Sequence, residues 1–446
     1  MKLFPALLVI LLLTVAGASA LTLEEAVNQA IQNNDSIRQQ SLLLESRKYA
    51  RNSRLASFSP NVGLSYGYNS AEIYDSAKPT PNPAAGSSSL AGNSKESSFS
   101  LNMGFNLFNG FADLKGYNLA SVNVDMQRYA YEGNRQDIIL ATKSVYISYL
   151  NARSQLNVAN ETLTLLEAQK KIAEVSFNVG QFSKADVLRV DVQLASTQLD
   201  LLNAQIALKR TRQQLERYIG RLIVPEEEIV EIEVADVYPV PPIERLERML
   251  EENRSEMRYI KSAYEAAGYV KDMSLSGFLP KLNLGLTFGW NGDDSGAFGG
   301  RENNYDGSRV LSLSLTWNIF QGLYDYNTYR SNSYNVYAAA YAVSDLRKTL
   351  RLQLSDVYEY YFSAREMVEV AKIGVEQARE NYRVTESQYE NSQATTTDLL
   401  NASVALNRAL NSLASANYTI ITSVAQLERA VETELLGFNI DKSDKK

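Results

Sequence analysis

The stretch Val175–Gln205, VSFNVGQFSKADVLRVDVQLASTQLDLLNAQ, contains a sharp turn between two amphipathic helices. The first helix is predicted to arrive at Phe177. The chain then turns through Asn178, Gly180 and Ser183, and a second helix is predicted to leave at about Lys184. Apolar residues at helical spacing lie on both sides of this turn, so the stretch predicts a helical hairpin with its tip at residues 178–184.

The same turn returns 212 residues later as Tyr389-ENSQATTTDLL-Asn401. Asp186 aligns with Asp398 and Leu188 with Leu400, since 398 − 186 = 212 and 400 − 188 = 212. Two further motifs also recur, as Phe58-Ser-Pro60 with Phe278-Leu-Pro280 and as Phe108-Asn-Gly110 with Phe320-Gln-Gly322. A recurring order of motifs predicts two copies of one structural unit.

Each copy contains two runs in which apolar residues alternate with small or polar ones, a pattern typical of β-hairpins. We predict these hairpins at about residues 61–108 and 281–320, with long polar loops at Asn69–Ser97 and Asn291–Gly307. Runs of about ten residues match a tilted strand that crosses a membrane. Because single-chain membrane barrels begin at about eight strands, four strands predict a barrel shared between several chains.

Long helical patterns fill the rest of each copy. A helix with a capping-box start is predicted from Thr22 to about Ser57. Apolar residues then recur at alternating steps of four and three, which predicts coiled-coil packing along both hairpins. In the first long helix this predicted seam consists of Val145, Tyr149, Ala152, Leu156, Ala159, Leu163 and Leu166.

These patterns divide the chain into five parts. They are a signal peptide, a first structural repeat, an equatorial connector, a second structural repeat and a polar tail, at residues 1–20, 21–219, 220–242, 243–436 and 437–446. The first part has a basic start at Lys2, a short apolar core and a small-residue cleavage site, typical of a secretory signal rather than a membrane span. The second repeat has its predicted hairpin tip at residues 390–396.

Composition restricts the chemistry. The 446-residue chain has no cysteine and no histidine, which excludes disulfides, thiolate metal sites and histidine-based catalysis within this chain. Without the predicted signal, 44 − 1 = 43 basic and 51 acidic residues remain, a net charge of −8, so the chain lacks a basic footprint for nucleic acid. We expect no metal, no cofactor and no enzymatic activity, although carboxylate-only catalysis stays open in principle.

Four motifs, taken with the duplication, resemble the TolC-like outer-membrane efflux protein family: Leu21-Thr-Leu-Glu-Glu-Ala26, Leu107-Phe-Asn-Gly110, Phe177-Asn-Val-Gly180 and Asp186-Val-Leu188. The resemblance covers nearly all of the mature sequence. It implies a mainly α fold with a small β part, a homotrimer in which an α-helical barrel joins a twelve-stranded membrane β-barrel with four strands per chain. It also implies an outer-membrane location with a periplasmic helical tunnel.

The function that this resemblance implies is that of an exit duct in a tripartite efflux or type I secretion system. Its implied partners are outer-membrane lipid, a periplasmic adaptor (membrane fusion) protein and an inner-membrane transporter. The alternative is a soluble exported coiled-coil or adaptor protein, which would explain the heptads but not the strands. The residues do not distinguish between drugs, metals, glycans and proteins as cargo.

The resemblance further implies a periplasmic gate at the hairpin tips. Asp186 and Tyr389 match a pair that ties neighbouring coils together, and Asp398 matches the outer of two aspartates that line the constriction. Asn401 stands at the position of the inner aspartate, and Ala394 stands at the position of an arginine. These two departures predict a looser closed state and a weaker ring of charge.

A local role for the same aspartates is also open. Ser183-Lys-Ala-Asp186 and Thr395-Thr-Thr-Asp398 both fit the capping-box pattern, which places an acidic residue near the positive end of a helix. On this interpretation Gly180, Ser183 and Thr395 form the tip turns. Asp398 then serves either as a helix cap alone or as part of a ring in the pore.

Overall fold

The computed structural model describes residues 20–72, 93–224, 227–232, 240–292, 306–391 and 393–435. The predicted signal peptide, apart from Ala20, and the predicted polar tail lie outside this part. The helices are α1 (Leu23–Asn33), α2 (Asp35–Ser53), α3 (Ala112–Asn178), α4 (Lys184–Ile219), α5 (Ile243–Asn253), α6 (Ser255–Ser274), α7 (Tyr324–Glu390) and α8 (Thr396–Val431). The strands are β1 (Asn61–Glu72), β2 (Asn93–Asn109), β3 (Lys281–Gly292) and β4 (Asp306–Thr316).

The chain forms two compact units. The first comprises Met1–Leu42, Tyr129–Arg258 and Asp345–Lys446, and the second comprises Leu43–Arg128 and Tyr259–Ser344. No helix in the described ranges is both long and apolar enough to cross a membrane.

The second unit contains one antiparallel sheet in which the strands follow the order β1-β2-β3-β4. The two predicted hairpins are therefore joined, because β2 also pairs with β3. Leu64 lies opposite Leu101, and Leu101 lies opposite Phe288, so apolar side chains form rows across one face. On the other face Ser65 Oγ bonds Ser100 Oγ at 2.7 Å. The predicted division into an apolar and a polar face is thus present in the sheet.

The strands extend further into the predicted loops than their composition indicated. Backbone pairing of β1 with β2 continues through Asn69↔Glu96 as far as Glu72↔Asn93, because strand pairing needs no apolar side chain. At the opposite end β4 stops at Thr316, although the alternation continues to Ile319. Thr316 pairs with Lys281, the first residue of β3, so no residue of β3 lies opposite the remaining positions. The middles of both predicted loops lie outside the described residues.

The first predicted helix is broken in the structure. Asn34 adopts an extended backbone, and its side-chain oxygen accepts a hydrogen bond from Ser36 N at 2.9 Å, which starts α2. Arg254 has a similar extended backbone between α5 and α6. Since 254 − 34 = 220 matches the offset of the Phe-x-Pro motifs, the break belongs to the repeated unit. The break could not be predicted from the sequence, because no proline or glycine stands at either position.

The buried seam of α3 contains polar residues that the heptad prediction left out. It consists of Ala152, Ala159, Thr162, Leu166, Gln169 and Ala173. Asn407 Nδ2 donates to Thr162 Oγ1 at 3.0 Å, and Gln169 Nε2 donates to the Tyr382 hydroxyl at 3.1 Å. A buried polar side chain is tolerated when it is paired, and such pairs can define register between helices. Both partners belong to the second hairpin.

Buried ion pairs hold the C-terminal end of α8. Lys143 on α3 and Glu428 on α8 are about 5% and 7% exposed, and Lys143 Nζ lies 2.6 Å from Glu428 Oε2. The other carboxylate oxygen, Glu428 Oε1, accepts a hydrogen bond from Leu435 N at 2.8 Å. Both oxygens of this buried carboxylate are therefore satisfied.

The next residue extends this network. Arg429 donates from Nε to Asp137 Oδ1 at 2.8 Å, from Nη2 to Glu256 Oε1 at 2.6 Å and from Nη1 to Glu432 Oε1 at 3.0 Å. Its three carboxylate partners come from α3, from α6 and from the residue that follows α8. One guanidinium thus joins three segments that are distant in sequence.

The buried pair gives a stability prediction. Lys143→Met removes the ammonium group that lies against the buried Glu428 carboxylate, so we expect a loss of about 3–5 kcal/mol and a lower melting temperature of the detergent-solubilised protein. The double variant Lys143→Met/Glu428→Gln should recover much of this loss. Arg383→Met, which breaks the exposed pair Arg383–Glu380, is the control and should leave the melting temperature nearly unchanged. Equal melting temperatures for Lys143→Met and the wild type would contradict this assignment.

Candidate functional site at the hairpin tips

The two hairpin tips share one backbone pattern. At the first tip Gln181 N and Phe182 N both donate to Ser176 O, at 2.8 and 3.2 Å. At the second tip Gln393 N and Ala394 N both donate to Gln388 O, at 2.7 and 3.3 Å. The acceptors are equivalent, because 388 − 176 = 212. Gly180 has a φ of 78°, a left-handed conformation that glycine adopts without steric cost.

Both predicted capping boxes are present. Ser183 Oγ accepts from Asp186 N, and Asp186 Oδ2 in turn accepts from Ser183 N at 3.1 Å. Thr395 and Asp398 repeat this exchange at the start of α8, where Thr395 N donates to Asp398 Oδ2 at 2.9 Å. The capping prediction for both aspartates is therefore confirmed.

Side chains of the two tips pack together within the first unit. The rings of Phe182 and Tyr389 lie 5.2 Å apart, and Phe182 packs against a buried cluster that also contains Tyr382 and Leu399. Leu400 of α8 packs in turn among buried residues of α3 and α4. Ala394, the position equivalent to Phe182, is only partly buried and packs against the same cluster as Phe182.

The family resemblance predicts that Asp186 and Tyr389 form a pair, and in the structure the charge of Asp186 affects the pKa of Tyr389. Burial raises the pKa of the Tyr389 hydroxyl, and the charge of Asp186 raises it further. Hydrogen bonding from Ser183 lowers the pKa of Asp186, and Arg189, whose Nη1 lies 3.0 Å from Asp186 Oδ1, acts in the same direction. Side-chain hydrogen bonding to Thr396 lowers the pKa of both Asp186 and Tyr389.

The other predicted site residues lie apart from this contact. Asp398 and Asn401 are exposed on the first turns of α8. Hydrogen bonding to Thr395 lowers the pKa of Asp398, so its carboxylate favours the ionised state. Within one chain Asp398 therefore acts as a helix cap, and a ring of aspartates would require further copies of the chain.

A second contact between the hairpins lies one heptad above the tip and was missed by the sequence analysis. Gln169 Nε2 donates to the buried Tyr382 hydroxyl, which donates to Glu386 Oε1 at 2.8 Å. Burial raises the pKa of Tyr382 above its ordinary value. The heptad spacing could have indicated this contact, because Gln169 is seven residues from Thr162 and Tyr382 is seven residues from Tyr389.

The sequence matches the outer membrane efflux protein family over residues 26–221 and 246–432. The chain belongs to the outer membrane efflux protein family. The two matched segments flank residues 222–245. The expected resemblance is thereby confirmed, and so are the outer-membrane location and the efflux class of function.

Individual relatives of this efflux family are distant in sequence. The alkaline protease secretion protein AprF of Pseudomonas aeruginosa is 23% identical over 313 residues, which cover 67% of this chain and 62% of AprF. The outer membrane protein TolC of Escherichia coli is 21% identical over 360 residues, which cover 78% of this chain and 72% of TolC. The chain thus spans less than two thirds of the length of AprF.

Solved structures of outer-membrane proteins have the same fold. The transmembrane channel CusC superposes with a TM-score of 0.80 at 14% identity, covering 92% of each chain. The outer membrane protein VceC of Vibrio cholerae superposes with a TM-score of 0.77 at 14% identity, covering 93% of this chain and 96% of VceC. The predicted fold class, mainly α with a small antiparallel β part, is confirmed. Neither comparison supports a soluble coiled-coil or adaptor protein.

The lowered pKa of Asp186 predicts a pH dependence. A carboxyl whose pKa is lower in the folded than in the unfolded state stabilises the fold above its ordinary pKa of about 3.9, and this contribution is lost as the pH falls through the lowered value. We expect Asp186→Asn to melt at a lower temperature than the wild type at pH 7, with the difference shrinking below about pH 4.

The control for this measurement is Asp200→Asn, which changes an exposed carboxylate further along α4. This variant makes the same chemical change outside the capping box. Both measurements use melting temperatures from circular dichroism of detergent-solubilised protein. A constant difference between Asp186→Asn and the wild type from pH 7 to pH 3 would contradict the prediction.

Proposed function

We propose that three copies of this chain form an outer-membrane exit duct of a tripartite efflux or type I secretion system. The duct carries substrates from a periplasmic entrance at the hairpin tips to the outside, and the chain is not an enzyme. The observation that carries the proposal is the sheet, whose strands β1 and β4 each pair on one side only. Within lipid, unpaired backbone groups at two open edges cost several kcal/mol each, so the sheet must close with further copies.

The outward surface of the sheet supports a position in lipid. Large apolar side chains on the two edge strands are exposed: Val62, Leu64, Tyr66, Leu311, Leu313 and Leu315. The opposite face has the small polar residues Ser65, Ser100 and Asn102, in which Asn102 Nδ2 donates to Ser100 Oγ at 2.9 Å. An apolar outside and a polar inside are the arrangement of membrane β-barrels.

The helices provide a second surface for assembly. One stripe of α4 presents apolar side chains that are each 52–72% exposed in the single chain: Leu188, Val192, Leu199, Leu202 and Ile206. Their steps of four, seven, three and four fit a heptad seam, and none of the residues that the structure describes covers it. A neighbouring copy would cover this stripe, and burying each side chain stabilises such an interface by about 1.5–3 kcal/mol.

This chain also has a cleft that is suited to binding the periplasmic adaptor. A cleft of about 740 Å³ lies between α3, α4 and α8, lined by polar side chains that include Gln193, Asp200, Asn203 and Arg408. A polar helical hairpin of a periplasmic adaptor would find hydrogen-bonding groups of both charges there. The inner-membrane transporter is the third member of the proposed system.

The α4 stripe gives a test of assembly. Val192→Glu/Leu199→Glu places two charges in the proposed interface, so we expect cross-linked outer membranes to contain mostly monomer instead of trimer. Gln198→Glu adds a charge to an exposed position beside the stripe and should leave the trimer intact. A wild-type protein that stays monomeric in cross-linked membranes would refute the proposed trimer.

Substitutions of Asp398 distinguish its two candidate roles, as part of a ring of carboxylates at the entrance and as a cap of helix α8. If three Asp398 carboxylates line the entrance, they favour cations there, and planar-bilayer recordings should show weaker cation preference for both Asp398→Asn and Asp398→Ala. Asn retains an oxygen that can cap α8 and Ala does not, so only Asp398→Ala should also lower the melting temperature. Unchanged selectivity in both variants would leave capping as the only role of Asp398.

A further inference from the structure

Arg309 is a charged residue on the apolar face of the sheet. It is exposed on β4, in the same alternation as Leu311 and Leu313, and it lies directly opposite Phe288 of β3. From Arg309 to the helical ends of the described strands, every other residue on this face is apolar. An arginine on a lipid-facing strand is costly in the middle of a bilayer and costs little at its boundary. Arg309 therefore indicates a position near a boundary of the membrane.

A row of aromatic residues crosses the same face next to Arg309, towards the end of the hairpin where β3 ends and β4 begins. Tyr66 lies opposite Phe99, and Phe99 lies opposite Trp290, with the last two rings 5.5 Å apart. Trp290 in turn pairs with Gly307, which is two residues, or about 7 Å, from Arg309 along β4. Aromatic girdles mark the level of the lipid headgroups on membrane barrels. The long side chain of Arg309 can therefore reach headgroups from just inside this level.

Four residues of this face, Phe288, Trp290, Gly307 and Arg309, border a notch. The Arg309 guanidinium lies over the Phe288 ring, with Cζ 6.0 Å from the ring centroid. The Phe288 and Trp290 rings are stacked at 6.4 Å. Gly307 leaves the space beside the indole unfilled, since a Cβ added there would lie 3.7 Å from Trp290 Cδ1. The notch thus combines one cation with two aromatic rings.

The notch belongs to the second hairpin alone. Arg309 matches Ser97 in the first hairpin, since 309 − 212 = 97, and Trp290 matches Ser70, since 290 − 220 = 70. The first hairpin pairs its strands at these positions without a cation or an indole. Strand pairing therefore does not require Arg309 and Trp290, which favours a role in binding a ligand from the membrane.

The charge of the notch selects among lipid headgroups. A guanidinium binds phosphate oxygens through two parallel hydrogen bonds, a geometry that an ammonium group lacks. A phosphate monoester carries a charge of about −1.5 to −2 at neutral pH, whereas the phosphate diester of a common phospholipid carries only one negative charge. The aromatic rings beside Arg309 offer flat apolar surfaces to the C–H face of a sugar. A sugar headgroup with a phosphate monoester matches both features.

We propose that the notch binds the phosphorylated sugar headgroup of an outer-leaflet glycolipid, with Arg309 on the phosphate and Trp290 against the sugar. The inference rests on the proposed function for the direction of the strands, in which the loops of both hairpins face outwards. All four residues come from one chain, so each copy has a complete site.

The test is a titration of the purified protein in dodecyl maltoside with lipid A, a glycolipid with phosphate monoesters, followed by native mass spectrometry. The wild type should bind one lipid A per chain. Arg309→Gln should bind it roughly tenfold more weakly, as expected for the loss of hydrogen bonds to a charged group. Gly307→Val keeps the charge but fills the notch, and it should weaken binding as well.

The matched control is Arg330→Gln. Arg330 is an exposed arginine of α7 that also lies over an aromatic ring, with Cζ 5.3 Å from the centroid of Tyr334, but it lies outside the sheet. This variant should bind lipid A like the wild type. Equal affinity of Arg309→Gln and Arg330→Gln for lipid A would overturn the proposal.

Competition identifies the source of the phosphate. Neither inorganic phosphate nor phosphatidylglycerol, a phosphate diester, should displace lipid A at an equal concentration of phosphate groups. Displacement by inorganic phosphate would show a site for free phosphate, and displacement by phosphatidylglycerol would show a site for any anionic lipid. Either result would overturn the assignment to a glycolipid.

Melting temperatures separate lipid binding from a structural role of Arg309. Lipid A should raise the melting temperature of the wild type more than that of Arg309→Gln. If Arg309→Gln melts lower than the wild type by the same amount with and without lipid A, Arg309 serves the fold or the assembly and the proposal is wrong. If the wild type proves monomeric, the proposed duct fails, and the titration still decides the site because one chain contains all of it.

Discussion

The buried ion pairs at the end of α8 are the interaction on which the first unit depends. Lys143–Glu428 and the three carboxylates around Arg429 join α3, α6 and α8. Lys143 and Glu428 are 285 residues apart in the chain, and Glu256 and Arg429 are 173 residues apart. Buried charges are costly unless each is paired and hydrogen-bonded, and here the partners meet only in the correct arrangement. The network therefore opposes any shift of the helices along one another, because such a shift would leave a charge unpaired.

The same principle applies further down the hairpins, where polar pairs replace ion pairs. Thr162 and Gln169 occupy buried heptad positions that a purely apolar seam would give to leucine, and Asn407 and Tyr382 satisfy them from the second hairpin. Such pairs contribute less stability than apolar packing, but they discriminate between registers.

The tips combine local and long-range contacts. Each aspartate first serves its own helix as part of a capping box, and the charge of Asp186 also raises the pKa of Tyr389 in the second hairpin. Asp398 makes the equivalent cap but is exposed in the single chain. The two turns are thus similar in backbone and capping, and their different surroundings leave the two aspartates with different exposure.

The sequence by itself determined the features that depend on short-range periodicity. The repeat, the alternation of the strands, both tip turns and the capping boxes at Ser183 and Thr395 could all be predicted, because each involves residues only a few positions apart. The tertiary structure alone decided the joining of the hairpins into one sheet, the extra strand length and the partners of the buried polar groups. Gln169 and Tyr382 are 213 residues apart and Lys143 and Glu428 are 285 apart. No local pattern encodes such pairs, because their energy depends on burial and mutual geometry that exist only once the helices have packed.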